Sequence, residues 1–214
     1  LFSNPSPLPV SIQKRMLFVG TYPADTSSSP IPLSHLSYFS HLDETTGQEY
    51  EMVIHKDIYF DFADVFKELV LQKSVDDFVV ERMQLIEEYG GDDLKSMLEN
   101  NSSAFNVRRI TGKDNTFSKH SYGLAIDINP FYNPYINGDL ILPSEAKHHL
   151  DFHYSTSQEE KSNLWTEFHI TPQVADHFKR RGFDWGGDWK GVKQDWHHFE
   201  IVPPNYLSQI SWNI

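Results

Sequence analysis

Apolar residues recur at helical spacing just after the first quarter of the chain. Five of them lie at positions i, i+4, i+7, i+8 and i+11, namely Ile58, Phe62, Val65, Phe66 and Leu69. Residues at this spacing share one face of an α-helix. The pattern therefore predicts an amphipathic helix over residues 58–69 that buries this face.

Shorter apolar runs are typical of strands. Residues 124–128 are apolar except for Asp127, and this pattern predicts a core strand that carries one inward-facing acid. Further short strands are predicted over residues 83–86, 105–110 and 197–201. A short helix is predicted over residues 92–101, with Asp92 or Asp93 as its cap.

Two later segments carry stronger helix signals. Ser157 and Glu160 have capping-box spacing, and Thr171-Pro172 and Gly182 bound a predicted helix over residues 172–181. Helices and strands do not alternate regularly along the chain. The predicted fold class is therefore α+β, with a central, mainly antiparallel sheet flanked by helices.

The first part of the chain is rich in proline and serine. Proline donates no backbone hydrogen bond, and Ser-rich stretches such as residues 26–30 favour turns. Residues 1–50 are therefore predicted to form an irregular N-terminal arm, with residues 16–19 as one short strand. Residues 51–214 are predicted to form the functional domain.

Charge and composition exclude several classes of function. The net charge of −12 argues against nucleic acid or an anionic membrane surface as the main partner. The chain has no cysteine, which excludes disulfides, thiol nucleophiles and thiolate metal sites. It also lacks an apolar run near the roughly 20 residues of a spanning helix, so neither a transmembrane segment nor a signal peptide is expected in it. With 11 histidines present, any metal would be held by His and carboxylate side chains.

Two segments combine histidines with acids. His120 and Asp127 are seven residues apart, and a turn followed by a strand would bring their side chains together. A histidine from the later His197-His198 pair would complete a set of two His and one carboxylate. This donor set suits a catalytic Zn²⁺, with a fourth position left for water. Asp195, three residues before His198, would face that water as general base.

Each of these residues also has a structural interpretation. A single acid in an apolar strand is often a buried hydrogen-bonded group, and tandem histidines are often solvated loop residues. Their joint occurrence favours a site. By contrast, His148, His149 and His153 lie in a polar stretch outside both segments, and we expect them at the surface.

The residues of the two segments match known signatures. The pattern SxHxxGxAxD is formed by Ser118, His120, Gly123, Ala125 and Asp127. A second pattern, an acid three residues before a His-Phe-Glu run, is formed by Asp195, His198, Phe199 and Glu200. Both resemble the motifs of zinc D-alanyl-D-alanine carboxypeptidases and dipeptidases of the VanX/VanY type and of the related L-alanyl-D-glutamate endopeptidases. The resemblance covers about residues 50–203.

The resemblance implies a role for each site residue. It implies His120, Asp127 and His198 as zinc ligands, with His197 as the competitor of His198. It implies Asp195 as the general base. Arg108 would stabilise the developing oxyanion, and its neighbour Arg109 competes for that role because adjacent strand residues face opposite ways. Ser118 would bind substrate, or cap a turn.

The resemblance also implies a fold and an activity. The fold would be of the hedgehog/DD-peptidase type, and residues 51–214 would be a zinc peptidase domain. The activity would be hydrolysis of a peptidoglycan stem peptide at a bond that involves a D-amino acid, by a zinc-activated water. The protein would be an exported, periplasmic or cell-envelope enzyme and a monomer.

Two alternatives stay open at the level of sequence. A noncatalytic, zinc-containing cell-wall-binding module would keep the ligands without needing Asp195, so the presence of Asp195 favours the enzyme. A metal-free structural domain would bind no zinc at all.

Overall fold

The N-terminal sheet is a three-stranded antiparallel sheet. In this computed structural model the described residues are 5–75, 77–110, 113, 115–201 and 203. The strands of this sheet, in the order in which they pair, are β1 (Ser6–Pro7), β2 (Leu36–Leu42) and β3 (Glu49–His55). The hairpin of β2 and β3 runs from the pair Leu36 and His55 to the pair Leu42 and Glu49.

Two smaller antiparallel sheets follow. Their strands in chain order are β4 (Ala125–Asp127), β5 (Tyr135–Asn137), β6 (Leu140–Leu142), β7 (Asp184–Trp185), β8 (Lys193–Asp195) and β9 (His198–Glu200). One sheet has the order β4-β9-β7 and the other the order β6-β5-β8. Strands β8 and β9 are separated by only two residues, so the two sheets meet where the second predicted motif lies.

Six α-helices pack around these sheets within the described residues. They are α1 (Val10–Val19), α2 (Tyr59–Phe66), α3 (Asp93–Leu98), α4 (Leu150–Tyr154), α5 (Gln158–Leu164) and α6 (Pro172–Lys179). The helix predicted over residues 58–69 is confirmed as α2 with a following π-helical turn, and its five apolar residues are all buried. None of the described helices is long and apolar enough to cross a membrane.

Predicted caps explain where three helices begin. Ser157 accepts a hydrogen bond from the backbone N–H of Glu160 at the start of α5. Thr171 accepts one from Val174 at the start of α6. Asp92 caps α3 in the same way, by accepting from the N–H of Lys95. Such side-chain caps satisfy the backbone N–H groups that a helix leaves free at its start. The predictions of these three helices are confirmed.

The α+β class is confirmed, but the sheet differs from the predicted one. The described residues form three small sheets instead of a single central sheet. The segments 83–86 and 105–110 are not strands, because their backbone groups bond to several different partners. Phe105 donates to Val53 and Val107 donates to Thr21, so no continuous ladder forms.

The expectation of an irregular arm over residues 1–50 is wrong for residues 5–50. This part contains helix α1, strands β1 and β2, and the start of β3. The predicted strand at residues 16–19 lies in the last turns of α1, which ends at Gly20 with a φ of 92°. The composition was misleading, because Pro9 stands at the N-cap of α1, where proline is tolerated.

The same segment contributes to a second hydrophobic core. Leu8, Ile12 and Met16 follow one another at i, i+4 and i+8 and are buried. They belong to a cluster with the other buried residues Tyr22, Ile31, Leu36, Val53, Leu85 and Phe105. The predicted boundary at residue 50 therefore lies inside strand β3, in the middle of a packed hairpin. The assignment of residues 51–214 as a peptidase domain stays a prediction.

The main core lies between α2, α6 and the strands β4 and β9. Phe199 of β9 stacks on Phe178 of α6, with ring centroids 3.8 Å apart and an interplanar angle of 12°. Ile126 of β4 is opposite Phe199 and is fully buried. This packing holds the two strands that carry the residues of the predicted site.

Helix α1 offers a direct test of the second core. We expect Met16→Ala to lower the free energy of unfolding by about 2–5 kcal/mol, because Met16 is 0% exposed and its truncation leaves a cavity. Phe18→Ala on the same helix is the control, since Phe18 is 92% exposed and should change the value by about 0.5 kcal/mol at most. Urea denaturation measures both, and equally small effects would place α1 outside the cooperative core.

A buried histidine should make stability fall in acid. Burial lowers the pKa of His55 to about 4, and its Nδ1 accepts a hydrogen bond from the N–H of Asp57 at 3.1 Å. The unfolded chain takes up the proton near pH 6.5, so the stability due to neutral His55 is complete above that pH and is lost as the pH falls toward 4.

We expect the stability gap between the native chain and His55→Asn to shrink by on the order of 2 kcal/mol from pH 7 to pH 5. Urea denaturation at several pH values measures this gap. His148→Asn, at an exposed histidine, should keep a constant gap. A His55 gap that does not change with pH would show that His55 is not held neutral.

Candidate metal centre and cleft

Strands β4 and β9 bring the two sequence motifs together. In their antiparallel register Asp127 is directly opposite His198, so the two side chains lie on the same face of the sheet. His120 comes from the 3₁₀ turn Lys119–Tyr122 that precedes β4. Gly123 ends this turn with a φ of 66°, and a Cβ there would lie 2.7 Å from the backbone N of His55. The turn can therefore approach β3 closely only because this residue is glycine.

Side-chain atoms of three residues converge at this point, and Asp127 contributes both of its oxygens to the contacts. The Nε2 of His120 lies 3.2 Å from the Nδ1 of His198 and 3.2 Å from the Oδ2 of Asp127. The Nδ1 of His198 lies 2.9 Å from the Oδ1 of Asp127. Within the described part of the chain, these residues form the one group of three His or acidic side chains able to hold a metal ion, and all are buried.

The separations fit a metal ion with short bonds. Tetrahedral bonds of about 2.0–2.1 Å to nitrogen and oxygen place neighbouring ligand atoms about 3.3 Å apart. The observed distances of 2.9–3.2 Å are close to that value. The donor set of two imidazoles and one carboxylate therefore fits a bound metal ion.

The outward-facing nitrogens of both histidines are fixed by oxygen atoms. The Nδ1 of His120 lies 2.6 Å from the carbonyl oxygen of Ala104 and must donate to it, which leaves Nε2 with its lone pair toward the site. The Nε2 of His198 lies 3.0 Å from Oε2 of Glu200, and the ammonium of Lys119 pairs with the same carboxylate. Such partners orient metal-binding imidazoles and raise their basicity.

The electrostatics of the group favour charged forms despite burial. Burial would raise the pKa of Asp127, but His120 and His197 hold it well below its usual range. Burial would lower the pKa of His198, but hydrogen bonds to Asp127 and Glu200 raise it to about 10. A metal ion that binds His198 therefore displaces a proton, so its affinity must fall in acid.

Asp195 lies next to this group, at the end of strand β8. Its Oδ1 is 2.9 Å from the Nε2 of His197. The Nδ1 of His197 lies 2.6 Å from the carbonyl oxygen of Asn133, and its Nε2 lies 3.8 Å from Asp127. His197 thus stands between the carboxylates of Asp127 and Asp195. His198 is the histidine whose Nδ1 contacts both Asp127 and His120. The motif resemblance favoured His198 over its competitor His197, because His198 lies three residues after Asp195 and is followed by Phe-Glu.

The two neighbouring arginines take different directions. Arg108 lines the cleft, and its Nη2 lies 3.3 Å from Oδ2 of Asp93. The guanidinium of Arg109 instead lies 3.7 Å from the ring centroid of Phe117. The structure therefore brings Arg108, and not Arg109, to the cleft.

Ser118 lies at the cleft as well, and its Oγ accepts a hydrogen bond from the backbone N–H of His120. It acts as the cap of the turn that carries His120. The turn cap, which was the structural interpretation of Ser118, is therefore present in the structure.

The group of three opens into a cleft of about 690 Å³. Both motif segments line it, together with one face of the sheet of β5, β6 and β8. Trp189 lies beside the group, with its ring 5.6 Å from that of His198. A cleft of this volume is within the usual range for a peptide or other small ligand.

Several functional neighbours had no assigned role in the sequence analysis. Glu200 was part of a motif without a stated function, and its i+2 spacing from His198 on a strand was the available signal. Lys119 and Asn133 act across long sequence separations, through Glu200 and His197, so no local signal existed for them. Trp189, which lies outside both signatures, lines the cleft as well.

The surface assignment of three other histidines is only partly right. His148 is exposed and His149 is half-buried. His153 instead stacks on Trp196, with ring centroids 4.3 Å apart, and its Nε2 is buried. The polar stretch around His153 did not reveal the aromatic neighbours that come from other parts of the chain.

Comparison with known proteins points to one class of enzyme. Residues 111–201 match a peptidase family described as D-alanyl-D-alanine carboxypeptidase. The segment contains the three candidate ligands and Asp195, but not Arg108. This match confirms, over these residues, the resemblance that the motifs indicated.

A curated relative narrows the comparison. The peptidoglycan L-alanyl-D-glutamate endopeptidase CwlK of Bacillus subtilis (strain 168) is 38% identical over 86 residues, which is 40% of this chain and 40% of that protein. The chain thus matches well under half the length of this relative. No solved structure matches the chain significantly.

The contact between Glu200 and His198 can be tested through metal affinity. We expect Glu200→Gln to weaken Zn²⁺ binding by about 10–100-fold, because His198 loses a charged partner that orients it. Competition titration with a chromogenic chelator measures the affinity. Glu159→Gln, at an exposed helix position, should leave it unchanged. Equal affinities for all three proteins would contradict the assigned role of Glu200.

Proposed function

We propose that this protein is a zinc metallopeptidase that hydrolyses peptidoglycan stem peptides at a bond involving a D-amino acid. The observation that carries the proposal is the convergence of His120, Asp127 and His198 beside the carboxylate of Asp195 in one cleft. The family match over residues 111–201 and the similarity to a peptidoglycan endopeptidase support the class of substrate.

Zinc is the metal that best suits these ligands. His120, Asp127 and His198 would hold it, since two imidazoles and one carboxylate form a donor set that catalytic zinc sites use. Bound there, Zn²⁺ would act as a Lewis acid toward a peptide carbonyl and would lower the pKa of a nucleophilic water.

The chain's own residues would move the protons and hold the charges. Asp195 would take a proton from the attacking water and deliver it to the leaving amine. His197 would hold the Asp195 carboxylate in place, since it contacts that group and is itself anchored to the carbonyl oxygen of Asn133. Arg108, which also lines the cleft, would stabilise negative charge on the reacting carbonyl oxygen.

The matching family and the similar protein suggest two different candidate bonds for cleavage. The family is described as a D-alanyl-D-alanine carboxypeptidase and the relative as an L-alanyl-D-glutamate endopeptidase. Incubation of the zinc-loaded protein with purified muropeptides, followed by mass spectrometry, would separate the two. Release of free D-alanine supports the first, a new peptide that begins with D-glutamate, beside a muramyl-L-alanine fragment, supports the second, and no product with zinc bound would refute the peptidase.

The remaining parts of the proposal follow from the same class of protein. The fold would be of the hedgehog/DD-peptidase type, the protein would act at the cell envelope, and it would act as a monomer. A noncatalytic wall-binding module would need the metal ligands but not a carboxylate beside them. Asp195 at the cleft therefore favours the enzyme.

The general base provides the sharpest test of catalysis. We expect Asp195→Asn to lower kcat by about 10²–10⁴-fold, because the amide cannot accept the proton of the nucleophilic water. Zinc content, measured by elemental analysis, should stay at one per chain, since Asp195 is not among the three ligands.

Two further variants make this result interpretable. Asp184→Asn changes another acid that lines the same cleft and should keep kcat within about twofold. His120→Ala should lose zinc and activity together. If Asp195→Asn keeps full activity with zinc bound, Asp195 is not the base, and the wall-binding module becomes the better account.

A further inference from the structure

One wall of the cleft is a single face of the sheet of β5, β6 and β8. In this sheet Tyr135 is paired with Asp195, and Asn137 is paired with Lys193. Side chains two residues apart on a strand share a face, and all four of these residues line the cleft. Lys193 therefore points into the same cleft as Asp195, from a position two residues earlier on strand β8.

The ammonium group of Lys193 rests on aromatic rings. Its Nζ lies 4.5 Å from the ring centroid of Trp189 and 5.8 Å from that of Tyr135. Contacts of this kind hold a cation in place without neutralising its charge. In the part of the chain that the structure describes, Lys193 forms no ion pair with a carboxylate.

Within the described residues, two other cations that line the cleft form ion pairs with carboxylates, unlike Lys193. Lys119 pairs with Glu200, and Arg108 pairs with Asp93. The charges of those two groups are compensated by the protein, whereas the charge of Lys193 faces the cleft. In a chain with a net charge of −12, a positioned and uncompensated cation favours an anionic group at that point of the cleft.

We propose that Lys193, Trp189 and Tyr135 form a subsite that binds a carboxylate of the peptide substrate, on the residue that follows the scissile bond. This inference rests on the proposed peptidase function and defines the substrate more closely.

The spacing along strand β8 supports the position of this carboxylate. Residues two apart on a strand are separated by about 6.5–7 Å, which is about two residues of an extended peptide. A carboxylate at Lys193 therefore belongs to the substrate residue at or next to the bond on which Asp195 acts. Both candidate bonds meet this condition, because a terminal D-alanine and a γ-linked D-glutamate each carry a free α-carboxylate after the bond.

Binding of matched peptides tests the subsite directly. The probes are acetyl-L-lysyl-D-alanyl-D-alanine and L-alanyl-γ-D-glutamyl-L-lysine, each compared with a form whose carboxylate after the scissile bond is an amide. Isothermal titration uses the zinc-loaded full chain, with product release followed in parallel. The peptide pair that shows the preference identifies which of the two carboxylates is bound.

We expect the native chain to bind the acid about tenfold more tightly than the amide in one of the two pairs. Lys193→Gln should abolish this preference and raise KM for the acid by a similar factor, with kcat within about twofold. Lys193→Arg should restore the preference. Because the lysine is only half-buried, the preference should also weaken as salt is added.

Lys161→Gln is the matched control. Lys161 is also half-buried with its Nζ near an aromatic ring, that of Phe152 at 5.9 Å, but it does not line the cleft. It should keep the preference for the acid. Equal binding of acid and amide by the native chain, or a preference that survives Lys193→Gln, would overturn the subsite.

The outcomes separate this inference from the proposed function. A Lys193-dependent preference without any hydrolysis would support the subsite and refute the peptidase. Hydrolysis with equal KM for acid and amide would support the peptidase and overturn the subsite. Failure to bind any of the four peptides would overturn the subsite as well.

Discussion

The antiparallel pairing of β4 with β9 is the constraint on which the candidate site depends. Ile126 and Phe199 are paired and buried in the main core, and the next pair along the same two strands is Asp127 and His198. Because side chains alternate across a sheet, a slip of one residue would move the ligands into the core and the apolar pair into the cleft. The stacking of Phe199 on Phe178 therefore fixes the metal ligands as well as the core.

A buried group of two histidines and an acid is expensive unless each polar atom has a partner. Here one partner is a neighbour on the same strand, and the others come from distant parts of the chain. Ala104 accepts from His120, and Glu200 faces His198 and is itself paired with Lys119. These contacts set the direction of each imidazole before any ligand arrives. A metal ion would then satisfy the lone pairs and negative charge that remain.

The cleft also shows how local charge can differ from net charge. The chain is strongly acidic, which argued against nucleic acid as a partner but carried no information about the cleft. There, the protein compensates some cations and leaves Lys193 against aromatic rings. The local charge that a ligand meets in the cleft depends on which side chains pair with each other, and composition does not contain that information.

Periodicity and spacing in the sequence were sufficient for α2, for the caps of α5 and α6, and for a buried strand with an inward acid at Asp127. These features depend on residues a few positions apart. The motif spacing also singled out the side chains that converge, since a turn and a strand limit where His120 and Asp127 can lie.

The tertiary structure decided the rest. The motif resemblance favoured His198 and Arg108, but the directions of these side chains are seen only in the structure, where His197 lies behind the group of three and Arg109 lies on Phe117. The tertiary structure also packed α1 into a core where the proline content had suggested an irregular arm. The physical reason is the same in each case. The direction of a side chain and the burial of a segment depend on partners that are remote in sequence, so no local pattern specifies them.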